Sequence, residues 1–280
     1  MNTAFRDFLA PQRLIDVVDV GANPIDGEPP YLPILDAGLC RVTGFEPQAE
    51  ALQELQLRKG PYERYLPYAV GDGGAHTLNI CRGSGMSSLF PLDMDTLRMF
   101  EVLEPYAEVI DRIKVTTRRL DDIDDITYLD YLKIDIQGGE LAVFQNGRTK
   151  LADAVAIQTE VSFVTLYEDQ PAMGEIDREL RGQGFIPHCF AAVKRWPIAP
   201  YVAAEDPRLP LNQLLEADIV YVRDFSKPDL MSDEQLKHLA LIAHHCYGST
   251  DLALRCVMLL EHRGSLDAGA QKRCLQLLGA

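Results

Sequence analysis

Positive charge is what this sequence is short of. Among 280 residues, 27 are Lys or Arg against 42 Asp or Glu, a formal net charge of −15, and no basic run goes beyond pairs such as Arg118-Arg119. A nucleic acid would find little electrostatic help on such a chain, and an anionic membrane surface would be repelled. Long apolar runs are missing too. No stretch approaches the roughly 18 to 20 apolar residues of a membrane span, and Met1 to Ala10 has no apolar core of the length a secretory signal needs. The six cysteines, Cys40, Cys81, Cys189, Cys246, Cys256 and Cys274, form no CxxC pair and no zinc-ligand spacing. That usage fits reduced, mostly buried thiols and a cytoplasmic location. Internal repeats and low-complexity segments are absent. What is there, 47% hydrophobic and 25% charged residues, is globular composition, enough for one large domain or one domain plus an appendage.

The most informative stretch is Val17-Val18-Asp19-Val20-Gly21-Ala22-Asn23. β-Branched residues running into a glycine turn predict a buried first strand, over about 15–20, whose C-terminal end opens on a ligand. A buried strand has no use for charge, so Asp19 needs a partner. Gly21 lets the backbone approach a ligand closely, and the following helix would turn its N-terminus towards an anion. An acid beside such a turn suits a ligand with both an ammonium and a carboxylate; the plainer role is a capped loop and an ordinary turn.

The elements expected around it follow in order. A leading helix covers 2–14, and a helix with Pro29 or Pro30 in its first turn runs to Ala37 and stops at Gly38. Arg41 to Glu46 is a second strand ending in an acid 25 residues after Gly21. An acid in that place accepts hydrogen bonds from a ribose in dinucleotide-type folds, although Glu46 would also serve to cap the next helix, 48–58. A third strand is expected over 65–70, then the turn Gly71-Asp72-Gly73-Gly74, a strand over 76–81 and the small polar loop 83–89. A helix over 93–106 and a short strand over 115–120 lead to Tyr131-Leu132-Lys133-Ile134-Asp135-Ile136-Gln137-Gly138-Gly139-Glu140, which repeats the strand, glycine, helix order of the first unit. Lys133 and Asp135 share one face of that strand, and a pair of Lys133 with Asp135 or Glu140 would satisfy the lysine. A strand over 154–161 carries Glu160; a helix over 172–183, strands over 185–190 and 217–223, and a proline-rich loop over 191–212 complete the unit. Asp19, Glu46, Asp135 and Glu160 are too many strand-end acids for structural accident, since each costs several kcal/mol in an apolar core unless paired or placed in a site. His188 is a less favoured base.

From Ser226 the pattern becomes helical. Ser232-Asp233-Glu234-Gln235 is a capping box, and restarts at Gly248-Ser249 and Gly264-Ser265 give three helices. The division expected is 1–224 for the main domain and 225–280 for a helical appendage that packs on it or pairs with a second subunit as a homo-oligomer.

The order and spacing of several motifs resemble the FkbM-type methyltransferases, a branch of the class I enzymes that use S-adenosylmethionine. They are Asp19-Val20-Gly21-Ala22-Asn23, Gly44-Phe45-Glu46-Pro47, Ala69-Val70-Gly71-Asp72, Gly85-Met86-Ser87-Ser88-Leu89, Leu120-Asp121-Asp122, Leu132 to Glu140, and Gln158-Thr159-Glu160, spanning about 14–224. The resemblance implies an α/β fold: a Rossmann-like sheet of about seven mostly parallel strands with helices on both faces and a C-terminal helical appendage. It implies that Asp19 and Gly21, with Ala22, Asn23 and Asp135, hold the methionine end of S-adenosylmethionine, that Glu46 and Pro47 take the ribose, and that Val70 and Asp72 border the adenine. It also implies O-methylation of a sugar or natural-product hydroxyl. Two departures stand out: Pro24-Ile25-Asp26 lengthen the first loop before Gly27, and Gln137 stands where the family commonly has an acid.

Methyl transfer to a hydroxyl requires alignment of the acceptor and removal of one proton. Asp135 is the leading candidate for that task, then Glu160, then His188; in a variant, Asp135 and Glu160 hold a divalent cation that lowers the acceptor's pKa. A catalytically silent module that binds S-adenosylmethionine or a partner is the alternative, motivated by the altered loop and Gln137. An NAD(P) oxidoreductase ranks lower, because no GxGxxG is present. A small-molecule or carbohydrate acceptor is the partner expected.

Overall fold

A computed structural model describes residues 4–23, 27–202, 204, 206, 209 and 211–279. The inserted Pro24-Ile25-Asp26 of the first loop lie outside the described residues.

The strands are β1 (Ile15–Val20), β2 (Cys40–Phe45), β3 (Glu63–Leu66), β4 (Ala75–Cys81), β5 (Val109–Thr116), β6 (Tyr131–Ile134), β7 (Ala156–Ser162), β8 (Phe185–Arg195) and β9 (Leu214–Arg223). The helices are α1 (Ala4–Leu9), α2 (Leu32–Asp36), α3 (Ala49–Arg58), α4 (Met94–Leu97), α5 (Glu140–Gln145), α6 (Arg148–Leu151), α7 (Met173–Gly182), α8 (Asp233–Tyr247), α9 (Thr250–His262) and α10 (Ala270–Leu278). Seven strands form one sheet in the order β3-β2-β1-β6-β7-β9-β8, parallel except that β9 runs antiparallel to both neighbours. β4 and β5 form a separate antiparallel pair.

Alternation along β1 explains both cores. Ile15 and Val17 point into one apolar layer, with Tyr31 and Ile34 of the α2 region and Leu236, Leu239 and Ala240 of α8. Val18 and Val20 point into the other, with Val143 and Phe144 of α5 and Ile176 and Leu180 of α7. The sheet is thus buried on both faces, which is why its central strands are almost wholly apolar. The C-terminal helices pack on the sheet: α8 begins at the capping box expected at Ser232, with Gln235 N–H donating to Ser232 Oγ, and ends at left-handed Gly248. Among the described residues no helix is long and apolar enough to cross a membrane.

Several expected elements differ. The leading helix stops at Leu9, because Ala10 is left-handed (φ 45°) and Pro11 follows. Pro29 and Pro30 precede α2, and Pro33 occupies its first turn. The 93–106 helix is only α4 followed by short 3-10 turns at Arg98–Phe100 and Glu104–Tyr106; Pro105 cannot donate to a continuing helix. The third strand lies at 63–66 rather than 65–70, and the strand expected at 115–120 is the end of β5. β8 continues through Arg195, beyond the expected end at 190, because β9 supplies partners along its length as far as Leu214.

Candidate functional site

Four strand ends and the loops after them enclose a cavity of about 670 Å³ at the C-terminal edge of the sheet. This is where open α/β sheets place ligands. Asp19 to Asn23 at the end of β1, Phe45 to Pro47 at the end of β2 and Asp135 to Gln137 after β6 form its floor. The loop after β4 contributes Ser84, Gly85, Ser87 and Leu89.

Gly21 sets the close approach. Its φ is +79°, and a Cβ there would stand 2.0 Å from the carbonyl oxygen of Asp135. No other residue type fits that crossing of β1 and β6. Lys133 Nζ donates to the Gly21 carbonyl at 3.0 Å and fixes the turn from below.

Asp19 is 1% exposed. Its Oδ2 accepts from the Tyr31 hydroxyl at 2.6 Å, and its Oδ1 lies 3.4 Å from Lys133 Nζ without a hydrogen-bond donor in place. Burial pushes the Asp19 carboxyl above its usual range, with Lys133 and Tyr31 pulling against that. Burial would lower the Lys133 ammonium, but Asp19 and Asp135 outweigh it and raise its pKa. Lys133 therefore stays charged, and its ion-pair partner is Asp19 rather than Asp135 or Glu140. Parallel register puts Asp19 directly beside Lys133, a neighbour that alternation within a single strand does not reveal. Glu140 serves the backbone instead, accepting from Ile136 N–H at 2.8 Å and Gly138 N–H at 3.0 Å. Burial pushes its carboxyl up to about 7.

Glu46, buried at the end of β2, lines the cavity and also accepts from Gln48 N–H at 2.8 Å. The bond goes to the backbone of the residue that precedes α3, and no side chain caps that helix. Burial raises its pKa, and backbone N–H groups of Gln48 and Asn23 oppose the rise. Ala22, Asn23, Pro47, Val70 and Asp135 also line the cavity.

Three candidates lie apart from this lining. Asp72 belongs to its own turn: it accepts from Gly74 N–H at 2.8 Å and Thr117 Oγ1 at 3.0 Å, and meets His76 Nε2 at 2.8 Å. These bonds, that to His76 first, pull its carboxyl down to about 2. His188, on the edge strand β8, meets Ser249 Oγ at 2.7 Å at the start of α9, so it fastens the C-terminal helices and does not reach the cavity. Glu160 sits behind Gln137, its Oε2 accepting from Gln137 Nε2 at 2.9 Å and its Oε1 from Lys194 Nζ at 2.8 Å. Burial first, then Asp135 and Glu216, push the Glu160 carboxyl well up, against Lys194. The cation variant finds no support in this donor set. An amide and an ammonium, both hydrogen-bond donors, engage Glu160, and no metal-holding group of three or more His, Cys, Asp or Glu occurs among the described residues.

Sequence reasoning missed Tyr31, Tyr65, Gln158 and Asp218, all of which line the cavity. Asp218 was within reach: it is a charge inside the apolar strand Ala217–Arg223 and stands opposite Glu160 in the β7–β9 register. Tyr31 carries no such signal.

A parallel sheet closed by one antiparallel strand next to its edge, with a ligand cavity over β1 and β2, is the architecture of class I methyltransferases. The family model described as methyltransferase FkbM domain matches residues 19–187, more than half of the chain, and the chain belongs to that family. No curated protein matches it by sequence. Among solved structures, a methyltransferase from Thermoplasma acidophilum is 11% identical, with 76% of this chain and 70% of that chain covered and a TM-score of 0.39. Magnesium protoporphyrin IX methyltransferase from Synechocystis PCC 6803, solved with bound S-adenosylmethionine, is 11% identical, with 79% of each chain covered and a TM-score of 0.39. A methyltransferase from Haloferax volcanii, in complex with the Trm112 activator, is 11% identical, with 78% of this chain and 87% of that chain covered and a TM-score of 0.38.

Proposed function

We propose that this chain transfers a methyl group from S-adenosylmethionine to a hydroxyl oxygen of a sugar or small natural product. One observation carries the reading. A single cavity wall presents a buried carboxylate (Asp19, its Oδ1 3.4 Å from Lys133 Nζ), a glycine turn with no room for a Cβ, and a second buried carboxylate (Glu46) one strand away. Those features fit a ligand with an amino-acid end and a ribose. Asp19, Gly21, Ala22, Asn23 and Asp135 would hold the methionine end, and Glu46 and Pro47 the ribose hydroxyls. Val70, with Tyr68, Leu78 and the loop at Ser84–Leu89, would border the adenine; Asp72 is left to its turn. When bound, S-adenosylmethionine supplies an electrophilic methyl group on a sulfonium. Asp135, in the cavity lining, orients the acceptor hydroxyl and receives its proton. Glu160, its carboxyl pushed up by burial and by Asp135 and Glu216, stands behind Asp135.

The test is transfer of labelled methyl from S-adenosylmethionine to a panel of sugars and hydroxylated natural products. With the acceptor found, Asp135→Asn lowers turnover at saturating S-adenosylmethionine by about 10²-fold or more, beyond any loss of affinity at the methionine end. Full turnover in both Asp135→Asn and Glu160→Gln would refute the assignment of these acids. Binding of S-adenosylhomocysteine with no transfer to any acceptor would favour the silent module.

A further inference from the structure

Gln137 occupies a backbone conformation that suits glycine better. Its φ is 56°, and Gly138 follows at 106°. A non-glycine residue in the left-handed region costs about 1 kcal/mol or more and persists only where the surroundings require that side chain. Here they do. Gln137 Nε2 donates to Asp135 Oδ1 at 2.8 Å and to Glu160 Oε2 at 2.9 Å. Its Oε1 accepts from the Tyr167 hydroxyl at 3.1 Å, and its backbone carbonyl accepts from Ser88 Oγ at 2.6 Å. The Tyr167 hydroxyl also lies 3.2 Å from the Met86 carbonyl. An amide is the side chain that offers two donors on one atom and an acceptor on the other. A carboxylate in its place would face two more carboxylates, and a lysine would offer the Tyr167 hydroxyl no acceptor beside the Met86 carbonyl.

The two acids that Gln137 joins come from the ends of adjacent strands, β6 and β7, where like charges repel. Gln137 meets Ser88 directly and Met86 through Tyr167, and both belong to the loop after β4, whose Ser84, Gly85, Ser87 and Leu89 line the cavity. We propose that Gln137 is a positioning residue: its amide holds Asp135 and Glu160 as an oriented pair and couples that pair, through Tyr167, to the cavity-lining loop 84–89, which Ser88 also fastens to the Gln137 backbone. The part of this proposal that concerns methyl transfer rests on the function proposed above; the holding of the two acids does not.

The test uses the full chain with Gln137→Asn and Gln137→Gly. Both residues tolerate the left-handed backbone, so loss of fold is not the expected result. Asparagine is one methylene short of bridging both acids, and glycine removes the bridge. Three quantities are read: affinity for S-adenosylhomocysteine, the pH midpoint of the Glu160 carboxyl by carbon-13 NMR (assigned with Glu160→Gln), and methyl transfer. A hydrogen bond to the ionised form lowers a carboxyl's pKa, so removing the amide moves the Glu160 midpoint upward. Turnover at saturating S-adenosylmethionine falls about tenfold or more, beyond what affinity loses through the cavity floor. A residue that merely filled space would leave the Glu160 midpoint where it is, and an unchanged midpoint in both variants overturns the proposal. If the unmodified chain fails to bind S-adenosylhomocysteine, the proposed function falls, while the midpoint still decides whether Gln137 holds the pair.

Discussion

Asp19 and Lys133 are register partners on the parallel strands β1 and β6, and Lys133 Nζ lies 3.4 Å from Asp19 Oδ1 beneath the Gly21 turn. The lysine thus holds two things at once, the carboxylate of the first motif and the carbonyl of its glycine. Breaking a buried pair by removing one partner strands the other charge, at a cost of about 3–5 kcal/mol. Lys133→Met is accordingly expected to lower unfolding stability by about that amount, and Lys133→Arg by less, as measured by urea denaturation. A change within about 0.5 kcal/mol, the usual size for a surface site, would show that the pair does not hold the turn.

Gly21→Ala is expected to be among the most damaging single changes. The new Cβ would meet the Asp135 carbonyl at 2.0 Å, with the backbone at a φ of +79°. Strain and collision together are expected to cost about 3 kcal/mol or more. A thermal scan showing a Tm close to the parent's would contradict the geometry of this crossing.

Glu140 predicts a pH dependence whose sign is fixed. Its folded-state pKa, about 7, lies above its ordinary 4.5, so the folded chain binds more protons between those values. Its contribution is therefore fully present below about pH 4.5 and fades as pH rises through 7, by roughly 3 kcal/mol at most. Glu140→Gln removes that slope, and the difference between parent and variant in urea unfolding at several pH values isolates it. The variant also loses an acceptor for one of the two N–H groups that Glu140 serves, about 1–3 kcal/mol at every pH. Parallel pH profiles for parent and variant would contradict the assignment.

Asp72→Ala should leave affinity for S-adenosylhomocysteine within about threefold, since the Asp72 carboxylate is engaged by its own turn. Its stability effect should be small as well, because its side chain is 46% exposed and solvent screens its bond to His76. What contribution exists lies above about pH 4 and fades as pH falls towards 2, the direction of a lowered carboxyl. A large loss of binding in calorimetry would return Asp72 to the adenine side.

Much of this architecture is legible in the chain itself. β1 announces itself by β-branched residues running into Gly21, and β6 repeats the pattern, because strands buried on both faces must be apolar up to the point where they meet a ligand. Alternation makes faces readable and register unreadable: it aligned Lys133 with Asp135, whereas the neighbouring strand supplies Asp19. The same limit hid the end of β8, whose last residues are strand because β9 lies beside them. Acids could be recognised as strand-end residues, but not sorted. Glu46 and Asp135 face the cavity, Glu160 stands behind Gln137, and Asp72 turns to His76. Gln137 was visible as a departure from the family pattern; its left-handed backbone and its bridge between two carboxylates belong to the folded chain.

The measurement that bears most directly on the central claim is calorimetric titration of S-adenosylhomocysteine into the purified chain, with NADH as the comparison ligand. The account predicts micromolar binding of S-adenosylhomocysteine, about −8 kcal/mol, weakened about tenfold or more by Asp19→Asn and by Glu46→Gln, and no binding of NADH. Binding of NADH in its place, or S-adenosylhomocysteine binding that neither variant alters, would contradict it.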